Sequence, residues 1–179
     1  CGPNTEIFYW KPNDIPAPKK FNPDDERWLE IGNNVLMTYN KNKKGDYEKL
    51  KQKSIDFGGG MERTIVTLNN LEDNYLTDCW QPIIKEVEKI SGKTYNSSND
   101  ITKAIRIISD HIKAATMIIA DGISPSNTEQ GYVVRRLIRR ALRYLRKLDV
   151  DLLEIDATVE IAKKVIETYE DYSHLKKDK

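Results

Sequence analysis

The chain has 179 residues, of which 39% are hydrophobic and 32% charged, enough for one ordinary domain or two small ones with a real core rather than a disordered segment. No apolar run approaches the roughly eighteen residues that would span a bilayer, and two cysteines with two histidines are too few for a disulfide framework or a metal cluster. The expectation is a soluble protein in a reducing, cytoplasmic setting. An opening on Cys-Gly-Pro, with no signal-peptide pattern, suggests a piece of a longer polypeptide.

Up to about Gly60 the pattern is one of strands and loops. "TEIFYW" and "RWLEIGNNVLMTYN" read as strands separated by the Pro-rich surface loop "KPNDIPAPKKFNPDD". "KNKKGDYEKLKQ" reads as a polar turn into a further antiparallel strand ending in "SIDFG". From the glycines onward everything looks helical. Met61 to about Leu76 carries Met61, Ile65, Val66 and Leu68, and "WQPIIKEVEKISG" carries Ile83, Ile84, Val87 and Ile90 and ends at Gly92. "SSNDITKAIRIISDHIKAATMIIADG" predicts a long helix from an Asn/Asp cap to Gly122. There is no internal repeat. The expected fold class is α+β: a mixed sheet with a helix packed on it over residues 1–76, then an all-helical part over 77–179.

The net charge of +1 hides an asymmetry. "GYVVRRLIRRALRYLRK", from Gly131 to Lys147, holds six arginines and one lysine with no acid, while the chain beyond Leu148 is mostly acidic. Asn127 to about Leu148 predicts one helix with Val134, Leu137, Ile138, Ala141, Leu145 and Leu148 on an apolar face. That leaves Arg135, Arg136, Arg139, Arg140 and Arg143 on the remaining surface. The face is either a solvated one paired with the acidic tail or a phosphate-binding one; arginine at nearly every basic position suits phosphate, because the planar fork matches it.

Three consecutive glycines in "SIDFGGGMERTIVTL" lie between a strand pattern and a helix pattern. Without Cβ atoms the main chain is open to a ligand, and N–H groups at the start of a helix near Met61 would favour phosphate or carboxylate. The run is neither a P-loop nor a dinucleotide fingerprint, and on pattern alone it is equally a flexible strand-to-helix turn.

"GPNTEIFYW", "EIGNNVLMTYN", "SIDFGGGMERTIVTL" and "SDHIKAATMIIADGISPSNTEQGYVVRRLIRRALR" occur in that order, and together they resemble the alanyl-tRNA synthetase family. "GGGMER" is similar to motif 3 of the class II synthetases, a strand-to-helix element whose arginine holds ATP. The resemblance implies that residues 1–76 are the C-terminal part of a class II aminoacylation domain. It makes 77–179 a helical domain for the tRNA acceptor stem, incomplete at its C-terminus. The implied activity is that of an alanine–tRNA ligase acting in translation, with alanine, ATP with Mg2+ and tRNA for alanine as partners.

The resemblance implies catalytic roles for Asp56, matching the aspartate that pairs with alanine's α-ammonium, and for Arg63, matching the arginine on the ATP phosphates. Asn33 matches a contact to alanine's carboxylate, Val35 a pocket wall, and Gly58 and Gly60 the glycines that leave space for substrate and adenylate. Glu30 stands where class II enzymes often hold magnesium at the nucleotide. Asn127 matches a residue placed at the G·U wobble pair of the tRNA, and Arg135, Arg136, Arg139, Arg140 and Arg143 would face the acceptor stem. From the residues alone, Val35 is equally a core position, Asn33 beside Asn34 a bulge or turn, Asn127 a helix cap, and His111 a satisfied interior histidine. Two positions depart from the family pattern: Gly32 stands where a tryptophan is usual in "EIWN", and Phe57-Gly58-Gly59-Gly60 replaces Thr-Gly-Met-Gly.

Motifs 1 and 2, the editing domain with its zinc ligands and the dimerising tail have no counterpart in these residues. The expectation is therefore a central fragment, inactive by itself, that works with the remainder of the synthetase chain or a split partner. A non-catalytic tRNA-binding module derived from the same family is the alternative.

Overall fold

The computed structural model describes residues 1–176, and the chain falls into two compact units, Cys1–Thr77 and Asp78–Lys179. The first is a three-stranded sheet with one helix, antiparallel throughout rather than mixed because consecutive strands pair directly. Strands β1 (Asn4–Trp10), β2 (Trp28–Lys41) and β3 (Tyr47–Gly59) lie in the order β1-β2-β3, and α1 (Met61–Leu68) follows directly. With helices dominating the second unit the class is α+β.

The β2–β3 turn is built around Asn42. Its Oδ1 accepts from the main-chain N–H of Lys44 at 2.9 Å and of Asp46 at 3.0 Å, and Gly45 supplies the φ of +96° that closes the loop. The residue 11–27 loop is tied to the sheet by aromatic rings. Phe21 meets Phe8 with centroids 4.8 Å apart and Trp28 at 5.4 Å, and Trp10 meets Trp28 at 4.9 Å. Arg27 lies over Trp10 at 4.7 Å and its side chain binds Asp25, holding that carboxyl below its ordinary value. Only Gly32, Val66 and Thr77 are buried in this unit, so it carries little apolar core.

Helix α1 is shorter than the expected run to Leu76. It closes at Leu68 because Asn70 takes a left-handed φ of +51°, and the N–H groups of Leu71 and Asn70 return to the carbonyls of Val66 and Thr67. This is a Schellman closure with asparagine in the glycine role. A 3-10 turn, Asn74–Leu76, follows, started by Asp73, whose side chain accepts from the N–H of Tyr75 at 2.7 Å.

The second unit packs α2 (Gln81–Ser91), α3 (Asn99–Ala120), α4 (Glu129–Lys147) and α5 (Ala157–Thr168) around Ile83, Ile84, Ile105, Ile108, Val134, Leu145 and Ile161. Each apolar stripe recurs at helical spacing, so one face of every helix is inward. Ser98 caps α3 by accepting from the N–H of Ile101 at 3.3 Å. Gly92 ends α2 at a φ of +66°, while Gly122 and Asp149 close α3 and α4 at +92° and +63°. His111 is 9% exposed with Nδ1 2.9 Å from Asp110, an interior histidine. No helix among the described residues is long and apolar enough to cross a membrane.

Candidate active-site face and nucleic-acid interface

Directly opposed residues of an antiparallel ladder point to the same face of the sheet. Between β2 and β3 the register pairs Asn33 with Gly58 and Val35 with Asp56. One face therefore carries an amide, a β-branched aliphatic side chain, a carboxylate and a bare glycine in two adjacent rows. On β1, Glu6 pairs with Asn33 and Asn4 with Val35, extending the same rows. Neither Glu6 nor Asn4 stood out in the sequence, since only the register reveals them.

Glu30 reaches this face through an irregularity. Three residues before Asn33, simple alternation would put it on the other side. Instead Ile7 pairs with Gly32 and Phe8 with Glu30, leaving Ile31 as an extra residue in β2. The bulge reverses the alternation, and Glu30 joins Asn33 opposite Phe8 and Glu6. The main-chain carbonyl of the bulged Ile31 accepts from the N–H of Gly60 at 2.9 Å, anchoring the residue that opens α1.

Arg63, in the first turn of α1, closes the arrangement. Its Nη1 donates to the carbonyl oxygen of Glu30 at 2.9 Å and lies 3.4 Å from the carboxylate Oε2. The two side chains remain 46% and 37% exposed, so the guanidinium is oriented from one side and open on the other. Among the described residues no three or more His, Cys, Asp or Glu side chains could hold a metal ion together. Glu30 offers a single carboxylate, which fits an ion bridged through nucleotide phosphates but not one caged by protein alone.

The departures at Gly32 and Phe57 answer each other. A Cβ added at Gly32 would stand 3.2 Å from the Phe57 ring, and one added at Gly59 would stand 3.1 Å from it. The ring thus lies along β3 over both glycines and occupies space that a larger residue at 32 would need. Gly32→Trp should destabilise the first unit by about 1–3 kcal/mol through overpacking. Phe57→Thr in the same chain should recover most of that loss. Thermal melts of the two single variants and the double variant check the coupling; purely additive shifts would count against it.

On α4, Arg135, Arg136, Arg139, Arg140 and Arg143 line one open cleft with Tyr132. Among the described residues none of these five guanidinium groups forms an ion pair with a carboxylate, and Asp149 of the acidic segment pairs with Lys93 at 3.1 Å. Pairing of the basic face with the acidic tail is thus absent from the described residues. The apolar face of α4 buries Val134, Ala141, Leu145 and Leu148, with Leu137 and Ile138 half-buried.

Asn127 does not cap α4. Thr128 is the N-cap, without a side-chain cap bond, and Asn127 Oδ1 instead accepts from Nη1 of Arg135. Ser126 organises the approach: its N–H donates to the carbonyl of Gly131 at 3.0 Å and its hydroxyl to that of Thr128 at 2.9 Å. The amide is thereby held at the N-terminal end of the arginine stripe.

The described surfaces are thus a sheet face carrying Asn33, Val35, Asp56 and Gly58, an arginine braced at the strand-to-helix turn, and a stripe of α4 arginines without carboxylate partners among the described residues. The chain belongs to the class II tRNA synthetases: the family model described as tRNA synthetases class II (A) matches residues 1–179. Curated relatives carry the more particular name alanine–tRNA ligase. That of Borreliella afzelii is 49% identical over 154 residues, covering 84% of this chain and 26% of its own length. That of Staphylococcus saprophyticus is 42% identical over 173 residues, covering 94% and 20%, and that of Borrelia hermsii 41% over 172 residues, covering 94% and 29%. The chain therefore spans between a fifth and three-tenths of the length of these relatives.

Proposed function

We propose that this chain is the segment of an alanine–tRNA ligase that holds alanine, contacts the ATP phosphates and docks the tRNA acceptor stem. The observation that carries the reading is the β2–β3 register, which sets Asn33, Val35, Asp56 and Gly58 on one face. Asp56 supplies an anion for the α-ammonium of alanine, and the Asn33 amide donates to its carboxylate. Val35 limits the side-chain space, and Gly58 and Gly60 keep room for the adenylate. Arg63, braced by Glu30, places positive charge at the ATP phosphates, and the Glu30 carboxylate is the group available to a magnesium ion carried by the nucleotide. Alanine's carboxylate attacks the α-phosphorus with loss of pyrophosphate, and the terminal hydroxyl of the tRNA then attacks the carbonyl carbon of the adenylate, forming the ester and releasing AMP. The protein contributes positioning and charge stabilisation to both steps.

Residues supplied elsewhere in the ligase complete the site, in keeping with the greater length of the relatives. In the second unit the α4 arginines contact acceptor-stem phosphates without reading sequence, and Asn127 reads the minor-groove edge of the G·U pair, where an amide can both donate and accept. Alanine-dependent exchange of pyrophosphate into ATP, by the polypeptide that carries this segment at the length of its relatives, tests the first unit. Exchange with alanine supports the reading, and none overturns it. For the second unit, an acceptor-stem RNA hairpin carrying G·U should bind about tenfold more tightly than the same hairpin carrying G·C. Asn127→Ala should abolish that preference while leaving salt-sensitive binding. Equal binding of both hairpins by the unaltered chain would remove Asn127 from recognition.

A further inference from the structure

Outside these two surfaces, the densest uncompensated charge lies on the β2–β3 hairpin. From Lys41 to Lys53 the sequence holds six lysines and two carboxylates. One of those carboxylates is already engaged, since Asn42 Nδ2 donates to Glu48 Oε1 at 2.8 Å while Asn42 Oδ1 holds the turn. Lys43, Lys44, Lys49, Lys51 and Lys53 are all exposed, and among the described residues none of them forms an ion pair.

The ladder also opens where the lysines sit. Met37 pairs with Ser54 and Tyr39 with Lys49, so residues 50–53 stand opposite Thr38 alone. A bulge of this kind bends the strand and re-aims its side chains. Lys51 and Lys53 lie within this bulge and Lys49 at its edge, so one short exposed segment presents three ammonium groups to a polyanion.

We infer that this bulged hairpin is a second contact for the phosphate backbone of an RNA, separate from the α4 arginines and carrying no sequence information. The inference rests on tRNA being the substrate of this chain. A protein partner is disfavoured because Tyr47, 62% exposed with its ring 5.7 Å from the Lys41 ammonium, is the one aromatic side chain from Lys41 to Lys53 and Leu50 is half-buried, short of the clustered anchors that dominate protein interfaces. Lysine ammonium groups act as hydrated point charges, which position a backbone rather than read bases.

The test is titration of the full chain with an acceptor-stem RNA hairpin over a range of salt, comparing the unaltered chain with K43A/K49A/K51A/K53A, the matching arginine replacements, and R135A/R139A. The alanine variant should bind about tenfold more weakly at low salt, and its slope of log affinity against log salt should be shallower by about two. The arginine replacements should restore both. Unchanged affinity and slope in the lysine-to-alanine variant, with a loss in R135A/R139A, would overturn the hairpin contact and leave the tRNA reading standing. No RNA binding by the unaltered chain would overturn both. A loss in the alanine variant that is as large for a polyglutamate peptide as for RNA would assign the hairpin to an acidic protein segment and overturn the inference.

Discussion

In the polypeptide that carries this segment at the length of its relatives, Asp56→Ala should raise the KM for alanine in pyrophosphate exchange by about 10- to 100-fold, with a smaller change in kcat. The range follows from removing a charge-assisted hydrogen bond, worth roughly 1.5–3 kcal/mol. The split between the two constants follows from the chemistry. Alanine's ammonium carries the same charge in the ground state and in the transition state, where bonding changes at the carboxylate and the α-phosphorus, so its partner contributes mainly uniform binding. Asp56→Asn keeps the volume and removes the charge, and should behave much as the alanine variant does. Steady-state exchange over a range of alanine concentrations checks the expectation; an unchanged KM would exclude Asp56 from the ammonium site. Val35, paired with Asp56 across the ladder, gives a contrasting case. A larger side chain there should exclude alanine by occupying space, with the carboxylate intact.

Gly131→Ala should be the most damaging single methyl group in the second unit. A Cβ at this position would stand 2.3 Å from Ser126 Oγ and 2.5 Å from the carbonyl oxygen of Ser124, closer than such atoms approach. The Ser124–Ser126 segment would have to move, and the bond from the Ser126 N–H to the Gly131 carbonyl holds it in place. The segment leads directly into Glu129, which already holds a left-handed φ of +50°, leaving little freedom to absorb the shift. The expected cost is about 1–3 kcal/mol of stability, as for other overpacked sites. Displacing this segment also moves Asn127 away from Arg135, so discrimination of the G·U pair should fall while the arginine stripe still gives salt-dependent binding. Chemical denaturation together with RNA titration checks both halves. A variant as stable and as discriminating as the unaltered chain would show that the segment can yield without consequence.

Much of the local structure was legible along the chain. The apolar spacing of α2, α3 and α4, the stops at Gly92 and Gly122 and the stripe of α4 arginines each depend on residues within a turn or two of one another, whereas the Asn/Asp cap expected for α3 is Ser98, just ahead of Asn99. Where local reasoning overran, a local cause was also present: α1 stops at Leu68 because Asn69-Asn70 can close a helix as glycine does. The cap that the residues alone offered as an alternative at Asn127 does not form, for a different reason. Thr128 begins the helix, and the Asn127 amide finds Arg135 two turns further on.

By itself the sequence determined the strands, the helices as far as α4, their order and the arginine stripe, because periodicity and turn chemistry are properties of short segments. Only the tertiary structure decided which residues share a face. Glu30 stands with Asn33 because Ile31 is an extra residue relative to β1. Glu6 joins the same row through its pairing with Asn33, and Phe57 covers Gly32 because its ring lies along β3. The physical reason is that side-chain direction in a strand has a period of two, so one added residue reverses it, and whether a residue is added depends on the strand alongside.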